Sequence, residues 1–580
     1  MDFKLIIIMN NDFSVHNKKQ GSVSETIVNN NKKLRIGVML NGSHLEAWEG
    51  SILEAISGSD YASLELGIIN KTRNHTTTYF DNTVSNRKKL LYTAYTELEN
   101  RIVKCNPDAF ALKDISKFLK NVPKIEIQPM SDKYTDDVDG EDVKKIKAFN
   151  LDVIIQCGFR TLKGNILNAA KFGIWSYRHC DGIRVKGGPS GFWETFERMS
   201  ERGIILQMLT KDPEGGIVLY RSSFGTDSLF VKRNNNGCYL RSSTFVPRTL
   251  KKLHTLGEKK FFDSIMQQNK KFNFYNYPMY AIPTNFPFLK MLIKHFYRMG
   301  VQGIRHQFFE NQWVLLYDLS DTISTSFWGF KKIVPPRDRF WADPHVFFRD
   351  DTYYIFFEEY MLKKKIGHIS LIEMQQSGKY SEPVKVLEEP FHLSYPQIFE
   401  HNGTLFMIPE TQSAHRINLY ECTGFPTEWK FKKTLIDSVE AADSTILFHN
   451  NKWWLFTSIG EPKGTTEYKE LYLYYSDNLL SDNWNSHPLN PVMSDVRIAR
   501  PGGKIIQEND RLYRPSQCCI GGYGYGINFN EIVTLTENDY QERDIGFIEP
   551  LWDRKLKGVH TFCHEDRLTM IDGYYQKFFI

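Results

Sequence analysis

The sequence predicts two folds in one chain: an α/β domain built on a parallel sheet and, after it, an all-β domain of five propeller blades. Three observations carry this. Strand and helix patterns alternate from Leu34 onward, short aromatic strands between polar turns replace them after about residue 321, and one strand segment recurs five times in that second region.

Residues 1–33 are rich in Asn, Ser and Lys without apolar periodicity, and a disordered tail is expected there. Leu34 to Leu40 is an apolar run closing on Asn41-Gly42, a buried strand. Glu46 to Ile56 has helical spacing, and Leu64 to Ile69 is a second strand, which makes a β-α-β unit. Gly140 to Asn150 is expected as a helix, Leu151 to Gly158 as a central strand, Leu162 to Phe172 as a helix and Gly173 to Tyr177 as a further strand. That last strand runs into the polar loop Arg178-His179-Cys180-Asp181-Gly182. Ligands of open α/β sheets sit at the carboxyl ends of strands, so this loop is where chemistry is expected. The domain is expected over 34–225 and a helical linker region over 226–320.

The five recurring segments are Trp341–Phe347, Leu393–Phe399, Ala441–Leu447, Ile498–Lys504 and Gly558–Phe562. Their third residues are Asp343, Tyr395, Asp443, Arg500 and His560, spaced by roughly 50 to 60 residues, which is the period of propeller blades. Polar turns such as Asp350-Asp351, Asn402-Gly403 and Asn450-Asn451 join most of them to a second aromatic strand. A five-bladed propeller is therefore expected over 321–580, with its anchors converging at the central channel.

Composition narrows the function. A formal net charge of +5 over 580 residues is too dilute to support nucleic-acid binding. The eight cysteines show no Cys-x-x-Cys spacing, so neither a metal site nor a disulfide framework is expected. Leu5 to Met9 is too short for a signal-peptide core, and no apolar run is long enough to span a bilayer. The resulting expectation is a cytoplasmic protein.

Residues 151–221 resemble the formyltransferases that use 10-formyltetrahydrofolate. The resemblance rests on Leu151 through Gly158-Phe159-Arg160, on Gly173-Ile174-Trp175-Ser176, on Gly187-Gly188-Pro189-Ser190-Gly191-Phe192-Trp193-Glu194 and on Leu206 to Leu219. It implies a Rossmann-like α/β domain, 10-formyltetrahydrofolate as cofactor and an amine acceptor. The family's Asn-x-His and Asp-x-Gly are altered here. Ser176 takes the place of the Asn, Arg178 that of the His with His179 next, and Glu214 that of the Asp, while Cys180-Asp181-Gly182 replaces the following loop. Formyl transfer needs a donor to the developing oxyanion, for which His179 and Ser176 are the candidates. It also needs an acceptor for the amine proton, for which Glu214 and Asp181 are the candidates. Arg178, Arg184 and Lys186 are candidates for a sugar-nucleotide phosphate. Each has a structural alternative: a strand-end histidine, a turn residue before Gly215-Gly216, a solvated basic loop.

The second region resembles the N-terminal domain of the plant glucosamine inositolphosphorylceramide transferase family, and more distantly five-bladed glycoside hydrolases related to arabinanases. Trp341-Ala342-Asp343-Pro344, His392-Leu393-Ser394-Tyr395-Pro396, Ala499-Arg500-Pro501-Gly502 and His560-Thr561 carry it. The hydrolases place carboxylates on successive blades, an order not repeated here, where Tyr395 stands on the second. Asp343, Asp443, Glu410, Arg500, Arg514 and His560 are expected to form a pocket of mixed charge for sugar hydroxyls and a phosphate. Asp343 has the alternative of capping backbone amides at the blade start.

Residues 286–299 combine apolar side chains with Lys290, Lys294 and Arg298 on a recurring face. Such a helix either docks between domains or lies on a membrane surface. Two functions are carried forward: transfer of a formyl group to an amino sugar or sugar-linked amine in glycan biosynthesis, with a glycan-binding propeller, or a glycan-processing propeller protein whose first domain is a scaffold.

Overall fold

The computed structural model describes residues 32–72, 86–132, 135–180, 185–212, 215–270, 275–460 and 470–578. The first part is a seven-stranded sheet in the order Gly216–Gly225, Glu201–Leu209, Ile174–Arg178, Val153–Gln156, Leu34–Leu40, Ala62–Asn70, Lys124–Ile127. The last five of these run parallel, and Glu201–Leu209 is antiparallel to both of its neighbours. Leu34–Leu40 and Val153–Gln156 lie in the middle of the sheet, which is why they read as continuous apolar runs rather than alternating ones.

Two elements differ from expectation. In place of a helix over 162–172 the chain forms a short strand, Thr161–Lys163, and a 3-10 turn, Gly164–Asn168. Within the region expected as a linker, the helices Val231–Ser242 and Phe245–Gln268 belong to the sheet's own core: Cys238, Leu240, Phe245, Leu250, Phe261 and Ile265 pack with Ile36, Val38 and Trp175. These helices cover one face of the sheet and bury an apolar surface that the sheet cannot leave in water.

The second part is a ring of five sheets. Four of them follow the chain, with inner strands Arg339–Arg349, Ser394–His401, Ala441–His449 and Arg500–Pro501. The fifth is assembled from both ends of the region. Its inner strand Phe562–Glu565 pairs with Leu568–Phe578, which pairs over eleven residues with Phe309–Leu319, and that strand pairs with Lys331–Ile333. The ring thus takes in residues from Phe309, ahead of the expected start at 321. Five apolar clusters fill the five junctions between adjacent blades, and most of the aromatic residues belong to them. The hairpin turns Asp350-Asp351, Asn450-Asn451 and Asn509-Asp510 have positive φ at both residues, the geometry that matches strand twist in a two-residue hairpin.

The two parts touch along the edge strand Gly216–Gly225. The Val496 amide donates to the Ser223 carbonyl at 2.9 Å, the Ser222 hydroxyl donates to the Ser494 carbonyl, and Arg248 pairs with buried Glu470 at 2.8 Å. The open edge of the sheet is thereby covered.

Leu315 lies on the closing strand and is fully buried between the fifth and first blades. Leu315→Ala is expected to cost roughly 2–5 kcal/mol in the denaturant-induced unfolding of the propeller. A cost below about 1 kcal/mol would show that closure of the ring does not depend on this strand.

Candidate functional site in the propeller channel

The inner strands of the first three blades share an irregularity. Their pairing with the second strand shifts between Ala342 and His345, between Ser394 and Gln397, and between Ala442 and Thr445. At each shift the anchor residue takes a positive φ, 52° at Asp343, 45° at Tyr395 and 51° at Asp443. A bulge of this kind re-aims a side chain and frees a backbone amide, and a non-glycine residue held there costs about 1–3 kcal/mol of strain. Carboxylates of the preceding blade take up two of the freed amides. The Asp343 amide donates to Asp572 Oδ2 at 2.8 Å, and the Asp443 amide to Glu410 Oε2 at 3.1 Å.

The anchors then meet. Asp443 Oδ2 is paired with Arg500 Nε and accepts from Gln517 Nε2 at 2.7 Å. Asp343 Oδ1 accepts from the Thr561 hydroxyl at 2.7 Å and lies 3.6 Å from His560 Nε2, while His560 Nδ1 lies 2.6 Å from Asp572 Oδ2. The Tyr395 hydroxyl, from the second blade, accepts the Gly503 amide of the fourth at 2.6 Å, so this buried ring crosses the axis between blades that are not neighbours. The His560 ring stacks on Trp313 at 4.1 Å and meets Tyr523 edge-on at 5.3 Å, and the Arg500 guanidinium lies 4.9 Å from the Tyr523 ring centre. Tyr523 is 51% exposed, an aromatic surface at the edge of an otherwise buried cluster.

Strand alternation sorts the two glutamates at the end of the second strand of blade 1. Glu359 is held by Arg339, Trp341, His368 and Ser370. Burial raises its carboxyl, but these hydrogen bonds outweigh that and hold it at about 2, so it is a structural anion. Glu358 has the other orientation. It pairs in register with Ala342 as Glu410 does with Ser394, placing both at corresponding points of successive blades. Burial first, then the charge of Asp343, pushes Glu358 well above the usual carboxylate range. Glu410 is pushed up to about 8 by burial and by Asp443, with Arg500 pulling against them, and Asp343 to about 6 by burial against the pull of His560. The His560 imidazole is raised: burial lowers it, and Asp572 and Asp343 more than compensate. At about 8, Glu410 holds a proton at neutral pH, and Glu358 is shifted in the same direction. A carboxylic acid beside a more acidic carboxylate supplies the two protonation states that general acid–base chemistry requires.

Asp343, His560 and Asp572 bring one ligand atom each within 4.8 Å of one another, a mixed nitrogen and oxygen set that could hold a metal ion. Asp572, Gln517 and Tyr523 escaped the sequence reading. Asp572 carried a weak signal, an acid directly after the mostly apolar stretch Leu568–Ile571, whereas Gln517 and Tyr523 carried none. Arg514 is not among the partners of this cluster: fully buried, it is engaged by Glu542 at 2.8 Å and by the Ile498 carbonyl at 2.7 Å within the fourth blade.

In the α/β domain, Ser176 and Arg178 lie on the strand Ile174–Arg178, and the Lys186 carbonyl accepts the Tyr280 amide at 2.9 Å. His179 stacks on Tyr239 at 3.9 Å and meets Trp48 edge-on at 5.3 Å. Burial and then Arg202 push its imidazole down to about 3, so it stays neutral. Asp181, Arg184 and Glu214 lie outside the described residues. A cleft of about 560 Å³ opens at the other end of the sheet, beside Arg35, Asp152, Lys171 and His254. It lies at the amino ends of the strands, and Arg35 and Lys171 are paired there with Glu65 and Glu258.

Residues 331–563 match the family described as glucosamine inositolphosphorylceramide transferase 1, N-terminal. Over 239 residues the chain is 35% identical to glucosamine inositolphosphorylceramide transferase 1 of Oryza sativa subsp. japonica, covering 40% of this chain and 32% of the relative. The protein of the same name from Arabidopsis thaliana is 33% identical over 211 residues, covering 36% and 27%. The matched region spans about a third of the length of these relatives. Among solved structures, a Bacillus subtilis arabinanase is 14% identical and covers 40% of this chain and 93% of its own, with a TM-score of 0.29.

These relatives overturn three expectations. Transfer of a formyl group is withdrawn as the function, because the matching proteins are named for a different transfer chemistry, and 10-formyltetrahydrofolate goes with it as cofactor. The burial of His179 among aromatic rings gives the residue a packing role that needs no such reaction. The cytoplasmic placement is also withdrawn, since the relatives are named for inositolphosphorylceramide, a lipid.

The raised carboxyls have a consequence for stability. A group whose folded pKa lies above its unfolded one stabilises the fold below the unfolded value, and that contribution is lost as pH rises through the folded value. For Glu410 the window runs from its ordinary 4.5 to about 8. The melting temperature of the propeller is expected to fall across this window, and Glu410→Gln should flatten the fall. A variant whose stability follows the parent's pH profile would show that Glu410 carries no proton in the fold.

Proposed function

We propose that the propeller is the carbohydrate site of a glycan- or glycolipid-processing enzyme, taking a sugar or another polyhydroxylated head group at the channel mouth. The carrying observation is the convergence of Asp343, Glu410, Asp443, Arg500 and His560 beside the half-exposed Tyr523. Each has a part that suits a sugar. Carboxylates accept from hydroxyls, Arg500 donates to a hydroxyl or a phosphate oxygen, and an aromatic face covers the apolar side of a pyranose ring. The names of the plant relatives support a substrate of this class, and in this reading the α/β domain is a scaffold held on the third blade by the Arg248–Glu470 pair.

Titration calorimetry against glycans containing glucosamine or inositol phosphate tests the reading. Tyr523→Ala removes an exposed ring and Asp343→Asn a charge at almost constant shape. Each should weaken binding about tenfold or more, which corresponds to about 1.4 kcal/mol, with the melting temperature nearly unchanged for Tyr523→Ala. A large fall in melting temperature for Asp343→Asn with binding intact, together with unaltered binding by Tyr523→Ala, would make this cluster purely structural.

A further inference from the structure

The helix Asn285–Phe308, which connects the α/β domain to the ring, is buried along one side and apolar on the opposite one. Phe288, Leu292 and His295 face inward, with Phe288 at 0% and His295 at 3% exposure. Phe288 and Leu292 pack with Tyr92, Tyr95, Phe192 and Phe196. Half a turn away, Phe286, Leu289, Ile293, Tyr297 and Ile304 follow at steps of three, four, four and seven residues and all face solvent, Phe286 at 68%, Ile293 at 64% and Tyr297 at 72%. A helix whose second apolar stripe points into water has an unpaired surface that single exposed residues do not make.

The charges around the stripe have one sign. Residues 285–308 contain Lys290, Lys294, Arg298 and Arg305 and no aspartate or glutamate. With a turn of 100° per residue, Lys290 and Lys294 fall on the flank of the stripe, and Lys290 lies over the Phe286 ring at 4.6 Å. A second helix, Leu90–Ile102, joins the first at its start: Asn285 accepts the Leu91 amide at 3.0 Å and donates to the Arg87 carbonyl at 2.7 Å. The adjoining Arg87, Lys88 and Lys89 thus lie at the same end, and Leu90, Leu98 and Ile102 are exposed along that helix, with Glu97 as its exposed acid.

We infer that this two-helix face is a peripheral membrane-binding surface, on which the Phe286–Ile304 stripe enters the interface of an anionic bilayer while Lys290, Lys294 and the Arg87–Lys89 cluster meet lipid phosphates. The helix is about 36 Å long and lies along the surface. No helix among the described residues is long and apolar enough to cross a bilayer. The basic flank selects a negatively charged lipid surface over an apolar protein partner, which would leave the cations unmatched. The inference stands apart from the carbohydrate reading, since it involves none of the channel residues.

Flotation of the full chain with vesicles tests it, using phosphatidylcholine alone and phosphatidylcholine with about a third phosphatidylserine. Binding is expected to the anionic vesicles, weakened severalfold by raising the salt from about 0.1 to about 0.5 M. Two double variants of exposed residues, Leu289→Ser with Ile293→Ser and Lys290→Glu with Lys294→Glu, should each lower the bound fraction at least tenfold, a drop read against an unchanged melting temperature. No binding by the parent chain, equal binding by both variants, or a lipid-free dimer that Leu289→Ser with Ile293→Ser dissociates would each overturn the inference, the last by showing that a second copy covers the face.

Discussion

Closure of the ring by the strand Phe309–Leu319 is the constraint on which the second half of the molecule depends. By pairing over eleven residues with Leu568–Phe578, it brings the end of the chain against the first blade. The contacts between Asp343 on one side and Thr561, His560 and Asp572 on the other exist only across that junction. The apolar cluster around Leu315, Trp341 and Met570 fills the same seam from outside the channel. Packing at the rim and polar contacts at the axis are two sides of one joint.

The axis concentrates like charges, and its construction shows how they are tolerated. The bulges at Asp343 and Asp443 turn carboxylates inward at a cost in backbone strain, and each also exposes an amide that the preceding blade's carboxylate binds. Arg500 and His560 offset part of the remaining charge. The rest is relieved by protonation, with Glu410 keeping its proton at neutral pH and Glu358 shifted in the same direction. Buried acids held in different protonation states are strained relative to a core of apolar residues, and a channel built only for stability would not need them.

The α/β domain illustrates how a polar strand end can be absorbed into packing. His179, at the end of the strand Ile174–Arg178, meets Tyr239 and Trp48 instead of an open cleft, and the helices beyond residue 230 supply one of those rings. The chain between the domains is likewise not a passive connection. Its first two helices complete the core of the sheet, and its third carries the exposed apolar stripe.

The sequence by itself determined the division into an α/β and a repeat domain, the five blade anchors and the polar hairpin turns, because these depend on local patterns: apolar period, turn chemistry and a recurring segment. It also marked Asp343, Asp443, Arg500 and His560 as candidates through their places in the repeat, and Glu410 as the end of a strand that could enter the channel. Only the tertiary structure decided the rest. Helical periodicity in 231–268 looks the same whether a helix links domains or covers a sheet, so the role of those helices appeared only with their partners. Arg500 and Arg514 are both arginines on adjacent strands of the fourth blade, yet Glu542 buries one inside the sheet and Asp443 holds the other at the axis. Asp572, Gln517 and Tyr523 joined the cluster from second strands and a loop with no repeat to announce them, since closing a ring sets neighbours by geometry across hundreds of residues, and sequence spacing does not encode that distance.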